Sequence, residues 1–217
     1  MKKINAFILD LDGVITNTAE FHYLAWKSLA DEEEIVFTRK DNEALRGVSR
    51  RQSLEYLLGD RKQDYSEEQI LKMMARKNEY YQEMLAEITE ADFLPGAQSL
   101  LEELKQRGLK VAIGSASKNT RKVLSQLSIL DFFDGIADGN MIVRAKPKPD
   151  VFIFAAGAIG VPVSNCVVVE DAESGIQAAI TAGMTTVGVG PSERVNNAHF
   201  QYESTAHIDL IEILGRF

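Results

Sequence analysis

Short apolar runs recur along the chain at Ala6–Leu9, Leu109–Ile113, Gly135–Ala137, Val167–Val169 and Thr186–Val189, each ending in small or acidic residues. Their length and composition predict buried strands. Between the later runs the period lengthens. Leu100, Leu101 and Leu104 share one helix face that Gly108 can stop, and Ile176, Ala179, Ile180 and Gly183 repeat the arrangement. Strands alternating with helices predict a parallel α/β sheet covered on both faces. Residues 17–87 break this rhythm with helical periodicity and no convincing strand, and Ser66-Glu67-Glu68-Gln69 reads as a capping box. They are expected to form a helical insertion, leaving 1–16 and 88–217 as the core. Thr89–Pro95 is then the return linker, closed by Pro95-Gly96.

Composition narrows the picture only modestly. The chain has 217 residues, 45% hydrophobic and 26% charged, enough for a real core. A net charge of −8 with no basic patch or tail argues against a nucleic-acid or anionic-membrane partner, although a few basic residues can still build one positive pocket. Cys166 is the one cysteine and lies in the run Cys166-Val167-Val168-Val169, so it predicts a buried strand position and a reducing, cytoplasmic setting. The N-terminal stretch lacks a signal-peptide apolar segment, and no other run is long enough to span a membrane.

Candidate chemistry gathers at the predicted strand ends, where open α/β sheets bind ligands. The first strand runs into Asp10-Leu11-Asp12-Gly13. Residues two apart on a strand point the same way, so both carboxylates can face one crevice. One can attack phosphorus and the other can trade protons. Gly13 permits the tight exit turn. The fourth strand ends at Glu170-Asp171, and four carboxylates brought together repel unless a hard cation such as Mg²⁺ joins them. Carboxylates at strand ends also serve as turn formers, and Asp171 can cap the next helix. After the second strand, Ser115-Ala116-Ser117-Lys118-Asn119 offers hydroxyls ahead of a helix start, a natural phosphate cradle. Lys146, within Ala145-Lys146-Pro147-Lys148-Pro149-Asp150, supplies a cation ahead of another helix.

That order of nucleophile pair, hydroxyl, lysine and acidic pair resembles the haloacid dehalogenase superfamily of phosphotransferases, over essentially the whole chain. The resemblance implies a Rossmann-like core, a cap inserted after the first strand, and Mg²⁺ held by Asp10, Asp171 and the main-chain carbonyl of Asp12, with Glu170 close by. Within the superfamily, Asp10 to Glu20 with His22 and Trp26, Leu45-Arg46-Gly47-Val48-Ser49-Arg50, Arg76-Lys77-Asn78 and Ser115 to Asn119 look like the β-phosphoglucomutase subfamily. This implies that Asp10 is phosphorylated and that Asp12 moves the proton. Ser115 and Lys146 would bind the transferring phosphoryl group. Arg50, Ser117, Lys118 and Asn119 would hold the other phosphate, with Ala116 in the same loop. Thr18, His22 and Lys77 would couple closure to Asp12, and Trp26, Arg46, Gly47 and Val48 would serve the sugar pocket.

The implied reaction interconverts β-D-glucose 1-phosphate and D-glucose 6-phosphate through an aspartyl phosphate and β-glucose 1,6-bisphosphate. The implied partner is a small sugar phosphate, and the expected state is a monomer. Core motifs alone serve a phosphatase of small sugar phosphates equally well; a mutase needs a second phosphate site, which Arg50 with Ser117, Lys118 and Asn119 can supply. Asn17 and Arg46 depart from the subfamily, which commonly has Asp and Lys there. Arg for Lys is not a neutral exchange at a tight contact.

Overall fold

The computed structural model describes residues 3–217, so residues 1 and 2 of the expected 1–16 segment and the opening of the N-terminal stretch lie outside the described residues. A parallel sheet in the order β3-β2-β1-β4-β5-β6 organises the chain. Its strands are β1 (Ala6–Leu9), β2 (Lys110–Gly114), β3 (Gly135–Ala137), β4 (Cys166–Glu170), β5 (Thr185–Val189) and β6 (Phe200–Tyr202). β1 sits at the centre with Leu9 in register with Ile113 on one side and Val169 on the other. Asp10, Ser115 and Glu170 therefore emerge together at one end of three adjacent strands.

Strand alternation divides the interior into two layers. Phe7, Leu9, Val111, Ile113, Val167 and Val169 join one apolar cluster, which includes Leu100, Leu101 and Leu104 of the expected helix face. Ala6, Ile8, Ala112, Cys166 and Val168 join the other, against Val151, Phe152 and Ala155. Each fully buried aliphatic side chain of this kind contributes about 1.5–3 kcal/mol. Near-continuous burial along β1, β4 and β5 is what a parallel strand covered on both faces requires.

The helices are α1 (Thr18–Glu32), α2 (Arg39–Glu43), α3 (Arg50–Leu58), α4 (Glu67–Leu85), α5 (Ala97–Gln106), α6 (Thr120–Gln126), α7 (Asp150–Ala158), α8 (Glu173–Thr181), α9 (Ser192–Val195) and α10 (Leu210–Gly215). α1 to α4 lie between β1 and β2. Capping boxes at Thr38, Ser49 and Ser66 start α2, α3 and α4, the last as the sequence predicts. Trp26, Leu29, Phe37, Leu54, Leu58, Ile70 and Met73 form an apolar cluster of their own in this segment. The ends nearest the sheet differ: Ala25 of α1 and Tyr81 and Leu85 of α4 pack into the sheet layer.

Two expectations shift. β6 is absent from the sequence reading because Phe200-Gln201-Tyr202 is a three-residue edge strand with an exposed centre, too short to show a period. Asp171 does not cap α8: Ala172 holds that position without a side-chain bond, while Glu170 Oε1 accepts from the backbone N–H groups of Asp171 and Ala172 at 3.2 and 3.1 Å. No helix among the described residues is long and apolar enough to cross a membrane.

Candidate active site

Asp10 continues the β1 ladder, its N–H donating to Val169 O at 2.9 Å, and Ser115 does the same from β2 to Ala137 O at 3.0 Å. Lys146 sits fully buried between strands and donates from Nζ to Asp10 Oδ1 and to Glu170 Oε2, both at 2.8 Å. Burial opposes its charge, yet the Asp10 and Glu170 carboxylates outweigh that and hold the ammonium above its ordinary range. The nucleophile candidate thus carries an internal cation that comes from 136 positions away.

Asp10, Glu170 and Asp171 are buried, with carboxylate oxygens within 4.8 Å of one another. Burial raises Glu170 to about 8 and Asp171 to about 6, and Asp10 adds to both through repulsion. Gly13 turns out of β1 with φ +82°, and a Cβ there would lie 2.3 Å from Asp171 Oδ2. The exit glycine is what lets Asp171 approach the Asp10–Asp12 turn. Sequence neighbours offered few basic groups, but the fold supplies three: Lys146; Arg46, whose Nη1 donates to Asp171 Oδ2 at 3.1 Å; and Arg194, whose Nη2 lies 3.9 Å from the same oxygen. Four carboxylates, counting Asp12, still outnumber the three cations. An all-oxygen donor set with this deficit fits a hard divalent ion.

A measurable consequence follows for the metal-free protein. A carboxyl whose folded pKa is raised binds more protons folded than unfolded, so stability falls as pH rises through the interval. For Glu170 that interval runs from 4.5 to about 8. The melting temperature in chelator is expected to fall between about pH 5 and 8, and excess Mg²⁺ to flatten that slope. Identical slopes with and without Mg²⁺ would contradict a cation site here.

Asp12 occupies the other side of Asp10. Burial, then the Asp10 charge, raise it to about 7, while a hydrogen bond from the Thr18 hydroxyl works against the rise. A carboxyl poised there can give and take protons near neutrality. His22 Nε2 stands 3.9 Å from Asp12 Oδ1, and its Nδ1 is 2.8 Å from Lys77 Nζ. Burial, with the nearby Lys77 and Arg50 charges, pushes His22 well down; burial and Arg50 do the same to Lys77. Lys77 also lies over the rings of Trp26 and Tyr81.

A cavity of about 580 Å³ opens beside these groups, a size suited to a small metabolite. Asp10, Asp12, His22, Trp26, Arg46, Gly47, Val48, Arg50, Lys77, Ala116, Ser117, Lys118 and Asp171 line it. Thr18, Ser115, Asn119, Lys146 and Glu170 stand behind this wall, all buried. Ser115 Oγ accepts from Ser117 N–H at 3.1 Å, and Ser117 Oγ from Asn119 N–H at 3.2 Å, which shapes the loop before α6. Asn119 Nδ2 and Arg50 Nη2 both donate to Asn78 Oδ1, at 2.8 and 2.6 Å.

Two side chains carry contacts that the sequence reading does not give them: Asn78, which enters it only within Arg76-Lys77-Asn78, and Arg194, which it does not single out. Asn78 ties Arg50 to Asn119, and a polar residue on the inner side of α4 next to Lys77 was the available signal. Arg194, 3.9 Å from Asp171 Oδ2, lies just beyond β5, where the strand-end rule applied equally.

In sequence and fold the chain is similar to several known proteins. The haloacid dehalogenase-like hydrolase family matches residues 4–183. β-Phosphoglucomutase of Bacillus subtilis is 41% identical over 209 residues, covering 95% of this chain and 92% of that protein. The crystal structure of β-phosphoglucomutase from Clostridium difficile superposes with a TM-score of 0.95 at 43% identity, covering 98% of this chain and 96% of that one. A phosphorylated carbohydrates phosphatase of Thermotoga maritima is 27% identical over 217 residues, covering 98% and 97%. With near full-length likeness in sequence and a shared parallel sheet, the chain belongs to the haloacid dehalogenase-like hydrolase family, alongside its β-phosphoglucomutases.

Proposed function

We propose that the chain is a β-phosphoglucomutase, interconverting β-D-glucose 1-phosphate and D-glucose 6-phosphate through an aspartyl phosphate on Asp10. The likeness to mutases at 41% and 43% identity across nearly the whole chain carries this reading. Residues 17–87 act as the cap and 1–16 with 88–217 as the core. A carboxylate oxygen of Asp10 attacks phosphorus of β-glucose 1,6-bisphosphate, forming an acyl phosphate as the bond to the sugar oxygen breaks. Asp12 gives that oxygen its proton. In the return direction Asp12 takes the proton from a hydroxyl of glucose 1-phosphate or 6-phosphate as that oxygen attacks the acyl phosphate.

Lys146 and Ser115 support the transferring group from behind, and Lys146 offsets charge on its oxygens. Mg²⁺, held by Asp10, Asp171 and the Asp12 carbonyl with Glu170 beside them, would neutralise phosphoryl charge when bound. Arg50, Ser117, Lys118 and Asn119 hold the second phosphate. His22 and Lys77 form a largely desolvated wall near Asp12, next to Thr18, where burial disfavours the charged form of both. Trp26, Arg46, Gly47, Val48 and Ala116 border the sugar.

The test is a coupled assay with Mg²⁺, β-glucose 1-phosphate and trace bisphosphate. Glucose 6-phosphate formation is expected far above release of free phosphate; dominant release would leave a phosphatase instead. Arg50→Ala removes the cap-side phosphate ligand and the Asn78 bond. Mutase turnover is expected to fall by roughly 10²–10³-fold, with slow hydrolysis less affected. Equal losses in both activities would assign Arg50 to the fold.

A further inference from the structure

Arg194 has no part in the chemistry above, yet it reaches across to the 17–87 segment. One oxygen of Glu43, Oε2, accepts from Arg46 Nε at 3.0 Å and from Arg194 Nη1 at 3.1 Å. Arg46 Nη1 goes on to Asp171 Oδ2 at 3.1 Å, and Arg194 Nη2 stands 3.9 Å from that same oxygen. Two guanidiniums and two carboxylates therefore alternate around a ring. Glu43 and Arg46 come from α2 and the turn after it, while Asp171 and Arg194 follow β4 and β5.

The surroundings keep this ring in place. Ser174 Oγ donates to Arg46 O at 3.1 Å, and a Cβ on Gly47 would lie 2.6 Å from that hydroxyl. Gly190 makes room for the arginine, since a Cβ there would sit 2.7 Å from Arg194 Nη2. Arg194 Nε is buried without a hydrogen bond, and both arginine side chains are only 23% exposed. A solvated surface arginine would have neither property. Two adjacent guanidiniums repel, and Glu43, bonded to both, offsets that repulsion where Arg46 rests against Asp171 beside Arg194.

We propose that Arg194, acting through Glu43, is a positioning residue: it clasps Arg46 and the 17–87 segment closed over Asp171 at the mouth of the cavity. The proposal deepens the functional reading above and rests on it for its kinetic consequence. Substrate has to enter and leave past this contact, and closure organises the groups around it. Loosening the clasp lowers the population of the closed, binding-competent state and raises apparent KM in proportion, with little change in kcat.

Trp26 provides a readout that needs no turnover. It is the one tryptophan, 2% exposed, and it lines the cavity from α1 of the segment itself. Arg194→Gln, Glu43→Gln and the double variant would be compared with the parent by acrylamide quenching of Trp26 without ligand, by KM and kcat for β-glucose 1-phosphate, and by thermal melting. Each single variant is expected to increase quenching and to raise KM about 5–10-fold with kcat within about 2-fold. The double variant should do no more than either single one. Arg194→Lys, which keeps the charge, should recover part of both effects and guards against misfolding of the glutamine variant. Unchanged quenching and KM, or additive losses that only follow the melting temperature, would overturn the clasp. If neither parent nor variants turned over sugar phosphate, the functional reading would fail while Trp26 quenching still decided the clasp.

Discussion

Asp10→Asn is expected to remove turnover almost completely, by roughly 10⁴-fold or more, because the amide cannot attack phosphorus. The substitution keeps the volume of a fully packed strand end and leaves Lys146 its second carboxylate, Glu170. Folding and sugar-phosphate binding should therefore survive, with affinity within about 10-fold of the parent. Three measurements separate these effects: coupled turnover, acid-stable or alkali-labile phosphoenzyme after brief exposure to labelled bisphosphate, and calorimetric binding of a sugar phosphate. The parent should trap an alkali-labile acyl phosphate and the variant none. Activity within about 100-fold of the parent would remove Asp10 from the nucleophile's place.

Lys146→Met should give the largest loss of stability. Its ammonium is wholly buried and bonded to both Asp10 and Glu170. Replacing it with a thioether of similar length preserves packing against Phe152, over whose ring the ammonium lies at 4.8 Å, but leaves two carboxylates opposed without their cation. Removing one partner of a buried charge pair costs about 3–5 kcal/mol. Urea unfolding in chelator should show that loss, and saturating Mg²⁺ should recover part of it by supplying the missing charge. Glu170 should stay protonated to still higher pH than in the parent. A loss under about 1 kcal/mol in chelator would mean that Lys146 does not hold the carboxylates together.

Much of the α/β core was legible because buried parallel strands write themselves as unbroken apolar runs, as in Val167-Val168-Val169. Chemistry at their ends was equally readable, since Asp10, Ser115 and Glu170 each directly follow or close such a run. What sequence could not supply is which groups meet across the chain. Lys146 looked like a cation ahead of a helix; only the fold puts its Nζ between two strand-end carboxylates. Asn78 and Arg194 are ordinary polar residues in ordinary patterns, and their importance comes from partners at Asn119 and Glu43. β6 was hidden for a different reason, because an edge strand with a solvated centre need not be apolar.

β1 at the middle of the sheet also bears on how the molecule comes into being. Its four residues leave the ribosome ahead of their partners, which are Lys110 to Ile113 on one side and Cys166 to Val169 on the other. Until those arrive, Ala6-Phe7-Ile8-Leu9 is an apolar strand with both edges open, which is a template for unwanted pairing. Closing so distant a contact is slow, and the helices of residues 17–87 can settle first on their own apolar cluster. The strand that leads into Asp10 is thus made before both of its partners and completed only with the second, so a nascent chain that has not yet made β4 has no assembled centre with which to capture phosphate.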